Sequence, residues 1–433
     1  MLMQGWGRYP KIEAELLQPL TITDCKNFVK NTSSLIARGL GRSYGDSSLA
    51  NNILGMKYLN HFLTFDKIAG VICCGAGVSI NELLNTSIPH GWFLPVTPGT
   101  RYVTIGGAIA SDVHGKNHHH EGAFSGYVIN LQLLLSNGEI VTASATEHSD
   151  LFKATCGGMG LTGIILSANI KLKPIKSSCI LQTTIKSYCL DEALEKFEQC
   201  SKSSYSVAWI DCLATGKHLG RSVLTLGEHA ENGTLTREKS STIPVFFDLP
   251  GCFLTSKSIK AFNLFYHGKI SQKTETKLIK FNSFFYPLDN LRNWNYLYGK
   301  QGFIQYQFVL PKVASAVGLK QILGRIAQSG KGSFLAVLKL LGKENNNFIS
   351  FPMEGYTLAL DFKITAGLLE LLEELDRMVL NFGGRIYLAK DARMTEKTFK
   401  SSYPCWIDFE SVREKYGAIG KFSSQQSKRI GLQ

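Results

Sequence analysis

The first of two glycine-rich loops has a composition suited to binding an anion. It reads Arg38-Gly39-Leu40-Gly41-Arg42-Ser43-Tyr44-Gly45 and follows a short apolar run. Because glycine lacks Cβ, successive backbone N–H groups can point the same way and form an anion-binding nest, to which Ser43 can add a hydroxyl. The run is not the dinucleotide G-x-G-x-x-G, and no clear helix follows it. It favours a pyrophosphate site, with a tight surface turn as the alternative.

A second cluster of small residues lies further along the chain. It runs from Pro98 to Arg101 and from Thr104 to Ala110, and it leads into Ser111–His118. Small side chains let the backbone lie directly against a flat ligand. Two such loops in one region strengthen the prediction of a large cofactor.

Four histidines follow the second cluster and raise the question of a metal site. His114 and His118 have the i,i+4 spacing of a ligand pair on a helix, but Gly115 and Asn117 between them disfavour a helix. We therefore expect no metal, a solvated loop at 118–120, and a role in the site for His114 alone.

Lys390 is the candidate for acid–base chemistry near the C-terminus. It stands among apolar residues in Tyr387-Leu388-Ala389-Lys390, after an expected strand. A lone lysine is usually a solvated surface residue, so the local sequence alone does not assign it a catalytic role.

The first part of the chain contains the elements that would carry the glycine-rich loops. Ser79 and Glu82 form a capping-box pattern that predicts a helix ending near Pro89–Gly91. Asn137-Gly138 lies between two apolar runs, Val128–Leu135 and Glu139–Ala143, and predicts a hairpin. Another strand is expected over Ile164–Leu172.

After residue 176 the pattern changes to that of an antiparallel sheet. A helix is predicted over Leu190–Phe197 and another over Leu368–Leu380, the latter ending at Gly383-Gly384. Between them, three segments alternate at period two and place Gln305, Gln307 and Lys339 on one face: Phe303–Leu310, Ser333–Leu340 and Thr357–Phe362.

Bulk composition narrows the class of protein. A chain of 433 residues is long enough for two domains, and the net charge of +13 favours anionic partners. No nucleic-acid-binding signature occurs, so a polyanionic small molecule fits better. The 10 cysteines lack the dense spacing of a secreted scaffold, which favours a reducing cytosol. No stretch is long and apolar enough to span a membrane, so any membrane contact should be peripheral.

Taken together, these segments resemble the FAD-binding oxidoreductases of vanillyl-alcohol-oxidase (PCMH) type over nearly the whole chain. The similarity is carried by Gly5–Arg8, Ala37–Asp46, Pro98–Ala110, Asp112–His119, Gly160–Ile165, Phe285–Asp289, Gly302–Pro311, Gly383–Lys390 and Tyr403–Pro404. The resemblance implies an α+β fold with two domains. Residues 1–176 and 384–433 would form a discontinuous FAD-binding domain, and residues 177–383 an inserted antiparallel-sheet substrate domain.

The resemblance also implies site residues. Lys390 and His114 would face the flavin and the substrate as catalytic groups. Substrate-side positions would be Lys116, Tyr286, Gln305, Gln307, Lys339 and Lys390. The cofactor would be held by Ile36, Ala37, Arg38, Gly39, Leu40, Gly41, Arg42, Ser43, Tyr44, Gly45, Asp46, Gly99, Thr104, Ile105, Gly106, Gly107, Ser111, Asp112, Val113, His114, Ile165 and Tyr387.

Two positions depart from relatives in the family. Arg42 stands where members that attach FAD covalently often have histidine, so FAD should be bound without a covalent link. Ala359 stands where mycobacterial members have a cysteine beside the substrate, so pocket shape should differ there.

The family resemblance implies oxidation of a sugar hydroxyl. The first hypothesis is oxidation of the 2′-hydroxyl of a polyprenyl-phosphate-linked pentose to a ketone, with a short-chain reductase as partner in an epimerisation. The enzyme would be cytoplasmic with peripheral contact at the inner membrane. The alternatives are an oxidase of soluble aldonolactones or alditols and, from another class, a flavin- or anion-binding protein without turnover.

Overall fold

Two antiparallel sheets and a small parallel sheet carry the loops described above. The computed structural model describes residues 1–236, 242–250, 254–270 and 274–432. Helices and strands alternate irregularly along the chain and the two main sheets are antiparallel, so the fold is α+β, as the sequence predicts.

The first sheet contains the predicted hairpin. Within the described residues it has five strands in the spatial order Ile140–Ser144, Val128–Leu134, Ile164–Lys171, Val71–Gly75 and Phe62–Asp66. Gly138 in the hairpin turn has φ +87°, which glycine adopts without strain, and Asn137 Oδ1 accepts from the Glu139 N–H at 3.0 Å. The hairpin and the strand expected over 164–172 are confirmed.

A small parallel sheet holds the first glycine-rich loop. Its strands lie in the order Glu15–Leu17, Asn52–Gly55 and Ile36–Arg38, and the loop leaves the last of them. The predicted capping box is confirmed, because Ser79 Oγ accepts from the Glu82 N–H at 3.2 Å and the Glu82 carboxylate accepts from the Ser79 N–H at 2.7 Å. The helix that it starts spans Ile80–Ser87.

The second main sheet, called the large sheet below, has eight strands among the described residues, and every neighbouring pair is antiparallel. Gln305 lies opposite Asp361 in its register, Gln307 opposite Ala359, and Lys339 opposite Thr357. Opposite residues share a face, so these side chains project to one side. The strand order is Thr274–Lys280, Cys179–Ser187, Ser222–His229, Tyr205–Ile210, Ala336–Leu341, Gly355–Lys363, Phe303–Pro311 and Arg385–Ile386.

Helices pack on and around the large sheet. The predicted helices at 190 and 368 are confirmed as Leu190–Gln199 and Leu368–Asn381, and Gly383, with φ +71°, follows the second. The remaining helices are Ile22–Asn31, Ile105–Ala110, His118–Glu121, Ser149–Thr155, Ser256–Gly268, Phe281–Phe285, Lys312–Ser329, Glu396–Ser402, Trp406–Lys415 and Gln425–Arg429. In the described part of the chain, no helix combines the length and apolar composition needed to cross a bilayer.

The C-terminal residues return to the N-terminal part of the fold. The Leu35 N–H donates to the Lys421 carbonyl at 2.9 Å, and Leu35 forms a parallel bridge with Phe422. Arg429 binds both Asp46, at 2.7 Å, and Asp391, at 2.9 Å. Three short strand pairs complete the secondary structure: Leu2–Gln4 with Lys11–Glu13, Trp92–Phe93 with Lys173–Pro174, and Ile243–Pro244 with Leu291–Arg292.

Candidate active site and cofactor cavity

One elongated cavity brings the two glycine-rich loops against a face of the large sheet. Of the residues that the sequence assigns to the cofactor, sixteen line it: Ala37, Gly39, Leu40, Gly41, Arg42, Ser43, Tyr44, Gly99, Thr104, Gly106, Gly107, Ser111, Val113, His114, Ile165 and Tyr387. Four predicted substrate-side residues also line it: Gln305, Gln307, Lys339 and Lys390. Residues far apart in sequence therefore meet in a single site.

Neighbouring segments hold the first glycine-rich loop in place. The Trp6 N–H donates to the Ser43 carbonyl at 2.8 Å, and the Tyr44 N–H donates to the Ala389 carbonyl at 3.0 Å. By contrast, the backbone N–H groups of residues 40–43 donate no hydrogen bond to another described residue. Unpaired amide donors on a cavity wall are suited to an anionic ligand.

The second loop packs closely on the first. Thr104 caps the helix Ile105–Ala110 by accepting from the Gly107 N–H at 3.2 Å. A Cβ on Gly39 would lie 2.2 Å from Thr104 Oγ1, and one on Gly106 would lie 2.9 Å from Ala76 Cβ. Glycine is thus required at 39 for the two loops to approach each other, and at 106 for the second loop to pack on the residue that follows the strand Val71–Gly75.

Arg42 brings an unpaired cation to the cavity. Its guanidinium lies 3.9 Å from the centroid of the Trp6 ring and 5.5 Å from that of Tyr102, and its buried Nε has no hydrogen-bond partner among the described residues. Desolvation lowers the pKa of Arg42, opposed by the charge of Asp289. A buried cation with an unused donor is expected to bind an anion.

Lys390 lies next to the first glycine-rich loop, in a turn after the strand Arg385–Ile386. Its backbone N–H donates to the Tyr387 carbonyl at 3.0 Å, and its Nζ lies 3.9 Å from the centroid of the Tyr44 ring. Desolvation lowers the pKa of Lys390 to about 7, with Asp361 opposing the shift and Lys339 adding to it. An amine with this pKa exchanges protons readily at neutral pH.

Asp361 is a buried carboxylate beside the site that the sequence analysis missed. Its Oδ1 accepts from Gln305 Nε2 at 2.5 Å and its Oδ2 accepts from the Tyr298 hydroxyl at 3.4 Å. Desolvation raises its pKa to about 7, while Gln305 and Lys390 act in the opposite direction. A single carboxylate in the otherwise apolar strand Gly355–Lys363 was the signal available in the sequence.

His114 is held by a chain of hydrogen bonds that begins in the large sheet. Thr357 Oγ1 donates to the Phe308 carbonyl at 2.8 Å, so it accepts from Gln307 Nε2 at 3.2 Å. The same amide nitrogen lies 3.1 Å from His114 Nε2, which must therefore accept. Hence the ring is neutral and carries its proton on Nδ1, a buried atom with no partner in the described residues. Desolvation, followed by the charge of Lys339, holds the pKa of His114 well below its usual value.

Comparison with known proteins identifies the family. Residues 17–144 match the family model described as an FAD binding domain. The chain is 38% identical to the decaprenylphosphoryl-beta-D-ribose oxidase of Mycolicibacterium smegmatis, over 99% of this chain and 97% of that protein. The chain belongs to the vanillyl-alcohol-oxidase-type family of FAD oxidoreductases. It is thus an FAD-dependent enzyme, as the sequence analysis expected.

More distant relatives cover less of this FAD oxidoreductase or are less similar to it. An uncharacterized protein of Streptomyces coelicolor is 28% identical over 82% of this chain and 100% of its own length. A putative D-arabinono-1,4-lactone oxidase of Neurospora crassa is 24% identical over 47% of this chain and 36% of its own length. The similarity to the lactone oxidase is therefore partial.

The cavity of this FAD oxidoreductase fits its cofactor on the chemistry of its own residues. Arg42 and the unpaired amides of residues 40–43 offer donors for a pyrophosphate. A Cβ on Gly99 would have no atom within 4 Å, so the backbone there is open to a ligand. Because arginine offers no nucleophile at position 42, that side chain cannot form a covalent bond to flavin.

Six of the residues assigned to FAD do not line the cavity. Ile36 and Ile105 are core residues, and Gly45 packs on the Asp391 carbonyl. Arg38 donates to the Gln4 carbonyl at 2.6 Å, and Asp46 binds Arg429. The sixth, Asp112, accepts hydrogen bonds from residues 345–350.

Asp112 fastens the second loop to residues 345–350. With φ +38°, its backbone lies in a region that L-residues rarely adopt. Its Oδ2 accepts from Asn345 at 2.6 Å, from Asn347 at 2.9 Å and from Ser350 at 2.7 Å. This residue positions the wall beside His114 rather than contacting the cavity.

Two residues assigned to the substrate side also lie outside the cavity lining. Lys116 Nζ donates to the Phe284 carbonyl and lies 4.4 Å from the centroid of the Phe284 ring. The Tyr286 hydroxyl is bonded to Thr97 Oγ1 at 2.5 Å. Conversely, Trp6 and Asp289 line the cavity although only the motifs around them were noted in the sequence. Ala359 lines it as well.

The prediction of a solvated loop at 118–120 is wrong. His118–Glu121 forms one helical turn. His118 is buried, and its Nδ1 accepts from the Gly342 N–H at 3.1 Å. His119 Nε2 lies 2.9 Å from the Ser203 carbonyl. Over the ranges that the structure describes, no three His, Cys, Asp or Glu side chains come together as a metal centre would require.

Proposed function

We propose that the enzyme oxidises a ring hydroxyl of a phosphate-linked sugar to a ketone, the 2′-hydroxyl of a polyprenyl-phosphate-linked pentose being the substrate that fits best. The observation that carries the proposal is that two lysines, Lys390 and Lys339, line the same cavity as the glycine-rich loops. Desolvation lowers the pKa of Lys390 to about 7 and that of Lys339 to about 8, so one can act in proton transfer while the other binds a phosphate. The similarity to the decaprenylphosphoryl-beta-D-ribose oxidase of Mycolicibacterium smegmatis supports this substrate class.

FAD, when bound, supplies a ring that accepts a hydride from the alcohol carbon. Removal of the hydride leaves a ketone only if the hydroxyl proton also departs. Lys390 is the group proposed to accept that proton, because about half of its molecules are neutral near pH 7. The nearby Asp361 carboxylate stabilises the ammonium that results.

His114 and Lys339 are proposed to orient the substrate. A neutral imidazole with its proton on Nδ1 can donate to a sugar oxygen without adding charge. Desolvation lowers the pKa of Lys339 to about 8, so at neutral pH most of its molecules are protonated and can bind phosphate. Gln305 and Gln307 hold Asp361 and His114 in place.

The domain division expected from the sequence is part of the proposal. Residues 1–176 with 384–433 would bind FAD, supported by the contacts of Leu35 with Phe422 and of Asp46 with Arg429. Residues 177–383 would bind the substrate, supported by the seven large-sheet strands in that range. The boundary near 384 leaves the short strand Arg385–Ile386 paired with the substrate-side sheet.

Three further parts of the proposal concern the partner of the enzyme, its location and the attachment of FAD. A short-chain reductase would reduce the ketone product to complete an epimerisation. The site of action would be cytoplasmic, with peripheral contact at the inner membrane, and FAD would be held without a covalent bond.

An anaerobic reduction screen tests the function. The oxidised enzyme is mixed with phosphorylated pentoses, with the same pentoses lacking phosphate, and with aldonolactones, and flavin bleaching near roughly 450 nm is followed. Reduction that requires the phosphate supports the proposal. Equal reduction by phosphate-free aldonolactones would instead favour a lactone oxidase activity, for which the Neurospora relative is named.

A further inference from the structure

The helix Ser256–Gly268 buries polar side chains and exposes large apolar ones. Besides Ile259 it buries Asn263 and His267, whose side chains bind Asp211 Oδ1 at 2.7 Å and the Ser187 carbonyl at 3.0 Å. Its outward side chains include Leu264, 57% exposed, and Phe265, 70% exposed. Surface helices normally do the opposite, since burying apolar side chains is what stabilises their packing.

A neighbouring segment presents more exposed aromatic side chains. Phe246 is 80% exposed and Phe247 is 67% exposed. The segment runs beside residues 291–296, because the Val245 N–H donates to the Arg292 carbonyl and the Leu249 N–H to the Tyr296 carbonyl. We call Phe246, Phe247, Leu264 and Phe265, with Lys257, Lys260 and Lys269, the aromatic–lysine surface.

Both parts of this surface border the apolar wall of the active-site cavity. Trp294, which lines the cavity, belongs to the strip of residues beside the Phe246 segment. On the helix, the Phe262 ring lies 5.9 Å from that of Phe334, which neighbours the cavity residue Leu335. A lipid chain attached to a sugar in the cavity could therefore extend toward this surface along these apolar side chains.

The charge around these apolar side chains has one sign. Residues 254–270 contain Lys257, Lys260 and Lys269 and no aspartate or glutamate. Beside the Phe246 segment, Asp248 is paired with Arg8, and the charges of Lys300 and Lys11 also lower its pKa. Exposed aromatic side chains among lysines are typical of segments that insert into an anionic membrane surface.

We propose that the aromatic–lysine surface docks the enzyme on an anionic lipid bilayer, with Phe246, Phe247 and Phe265 inserted between headgroups. The inference deepens the proposed function, since a lipid-linked substrate resides in that bilayer, but docking itself requires no substrate. A second copy of this chain would be a poorer occupant, because two surfaces of the same positive sign would face each other.

Vesicle flotation tests the proposal on the full-length holoenzyme. Wild-type protein is mixed with phosphatidylcholine vesicles that contain or lack phosphatidylglycerol, in the absence of any sugar. We expect binding only to the anionic vesicles, weakened by salt. The triple variant Phe246→Ser, Phe247→Ser, Phe265→Ser should lose on the order of tenfold or more of its partition coefficient. Lys257→Gln with Lys260→Gln should lower it further.

Matched controls separate this surface from general effects. Ile68→Ser with Val313→Ser removes two side chains that are 95% and 96% exposed elsewhere, and should leave flotation unchanged. The variant Lys217→Gln with Lys397→Gln removes two exposed lysines elsewhere and should likewise leave flotation unchanged. Equal flotation of the triple Ser variant and wild type would overturn the proposal, as would a wild-type dimer that this variant converts to a monomer.

A second measurement keeps docking distinct from the proposed chemistry. The triple Ser variant should reduce its flavin normally with a short, soluble phosphopentose, but slowly with a long-chain substrate embedded in vesicles. Loss of flotation, with normal flavin reduction by the soluble compound, supports membrane docking through this surface whatever the natural sugar is. Slow reduction of the variant with the soluble compound as well would overturn the assignment of this surface to membrane docking, since its residues would then affect the active site directly.

Discussion

Gln307 Nε2 lies 3.1 Å from His114 Nε2, and this contact fixes the protonation state of the imidazole. An amide nitrogen can only donate, so His114 must accept at Nε2 and stay neutral. The pKa of His114 lies well below its usual value, chiefly because the ring is desolvated.

Gln307→Glu should therefore convert His114 into a titrating group. A carboxylate at 307 favours a proton on Nε2, so the pKa of His114 rises and the imidazolium forms as pH falls through the new value. The imidazolium still carries a proton on Nδ1, but the neutral ring formed at higher pH keeps its proton on Nε2, so substrate-driven flavin reduction should fall as pH rises above the new value. Gln307→Met, which adds no charge, serves as the control. A pH profile of Gln307→Glu that matches wild type would show that the amide does not set the tautomer.

Lys390→Ala should retain FAD but lose activity. The backbone N–H groups of residues 40–43 remain available to FAD without this side chain, whereas loss of a proton-transfer group costs on the order of 100-fold. Stopped-flow reduction of the bound flavin measures the effect, and Lys397→Ala, at an exposed site, is the control. Lys390→Met preserves most of the length, so if it restored activity, packing rather than the amine would be what matters.

Asp361→Asn should shift the pH profile of flavin reduction to lower pH. The Asp361 charge opposes the lowering of the Lys390 pKa, so removing it lets that pKa fall below about 7. A base is active above its pKa, and the rising limb of rate against pH therefore moves toward acid. Rates across a pH series, at saturating substrate, measure the shift. Movement of this limb toward alkaline pH would contradict the role given to Lys390.

FAD should leave the protein on denaturation. Since Arg42 lines the cavity and has no group that can bond to flavin, acid or heat precipitation should leave yellow cofactor in the supernatant. Absorbance of the two fractions measures this directly. Colour retained in a washed pellet would mean that another residue attaches the flavin.

Arg429→Met should destabilise the fold because Asp46 and Asp391 lose the arginine that they share. Arg429 bonds Asp46 and Asp391, and both carboxylates are buried. Removing one partner of a buried ion pair lowers the free energy of unfolding by roughly 3 to 5 kcal/mol. Denaturant unfolding of the apoprotein measures the change, with Lys428→Met as the neighbouring control. A loss below about 1 kcal/mol would indicate that solvent screens the triad.

The sequence predicts the local parts of the site well and the long-range parts poorly. The glycine-rich loops and the hairpin at Asn137-Gly138 depend on backbone geometry encoded within a few residues. The pairing of Gln305 with Asp361 depends on the register of two distant strands, which period-two alternation does not specify. For the same reason the sequence did not reveal that Tyr286 is bonded to Thr97.

Chain order also determines when the enzyme can acquire its cofactor during synthesis. Leu35, just before the strand that enters the first glycine-rich loop, forms a bridge with Phe422, which is synthesised much later. Tyr387 and Lys390, which line the cavity, are also synthesised late. At ribosomal speed, the interval from Leu35 to Phe422 lasts on the order of 20 to 80 s. During that time the nascent N-terminal part lacks these contacts, so the complete flavin site forms only after residue 422 has been made, and cellular FAD supply should control how much newly made protein survives proteolysis.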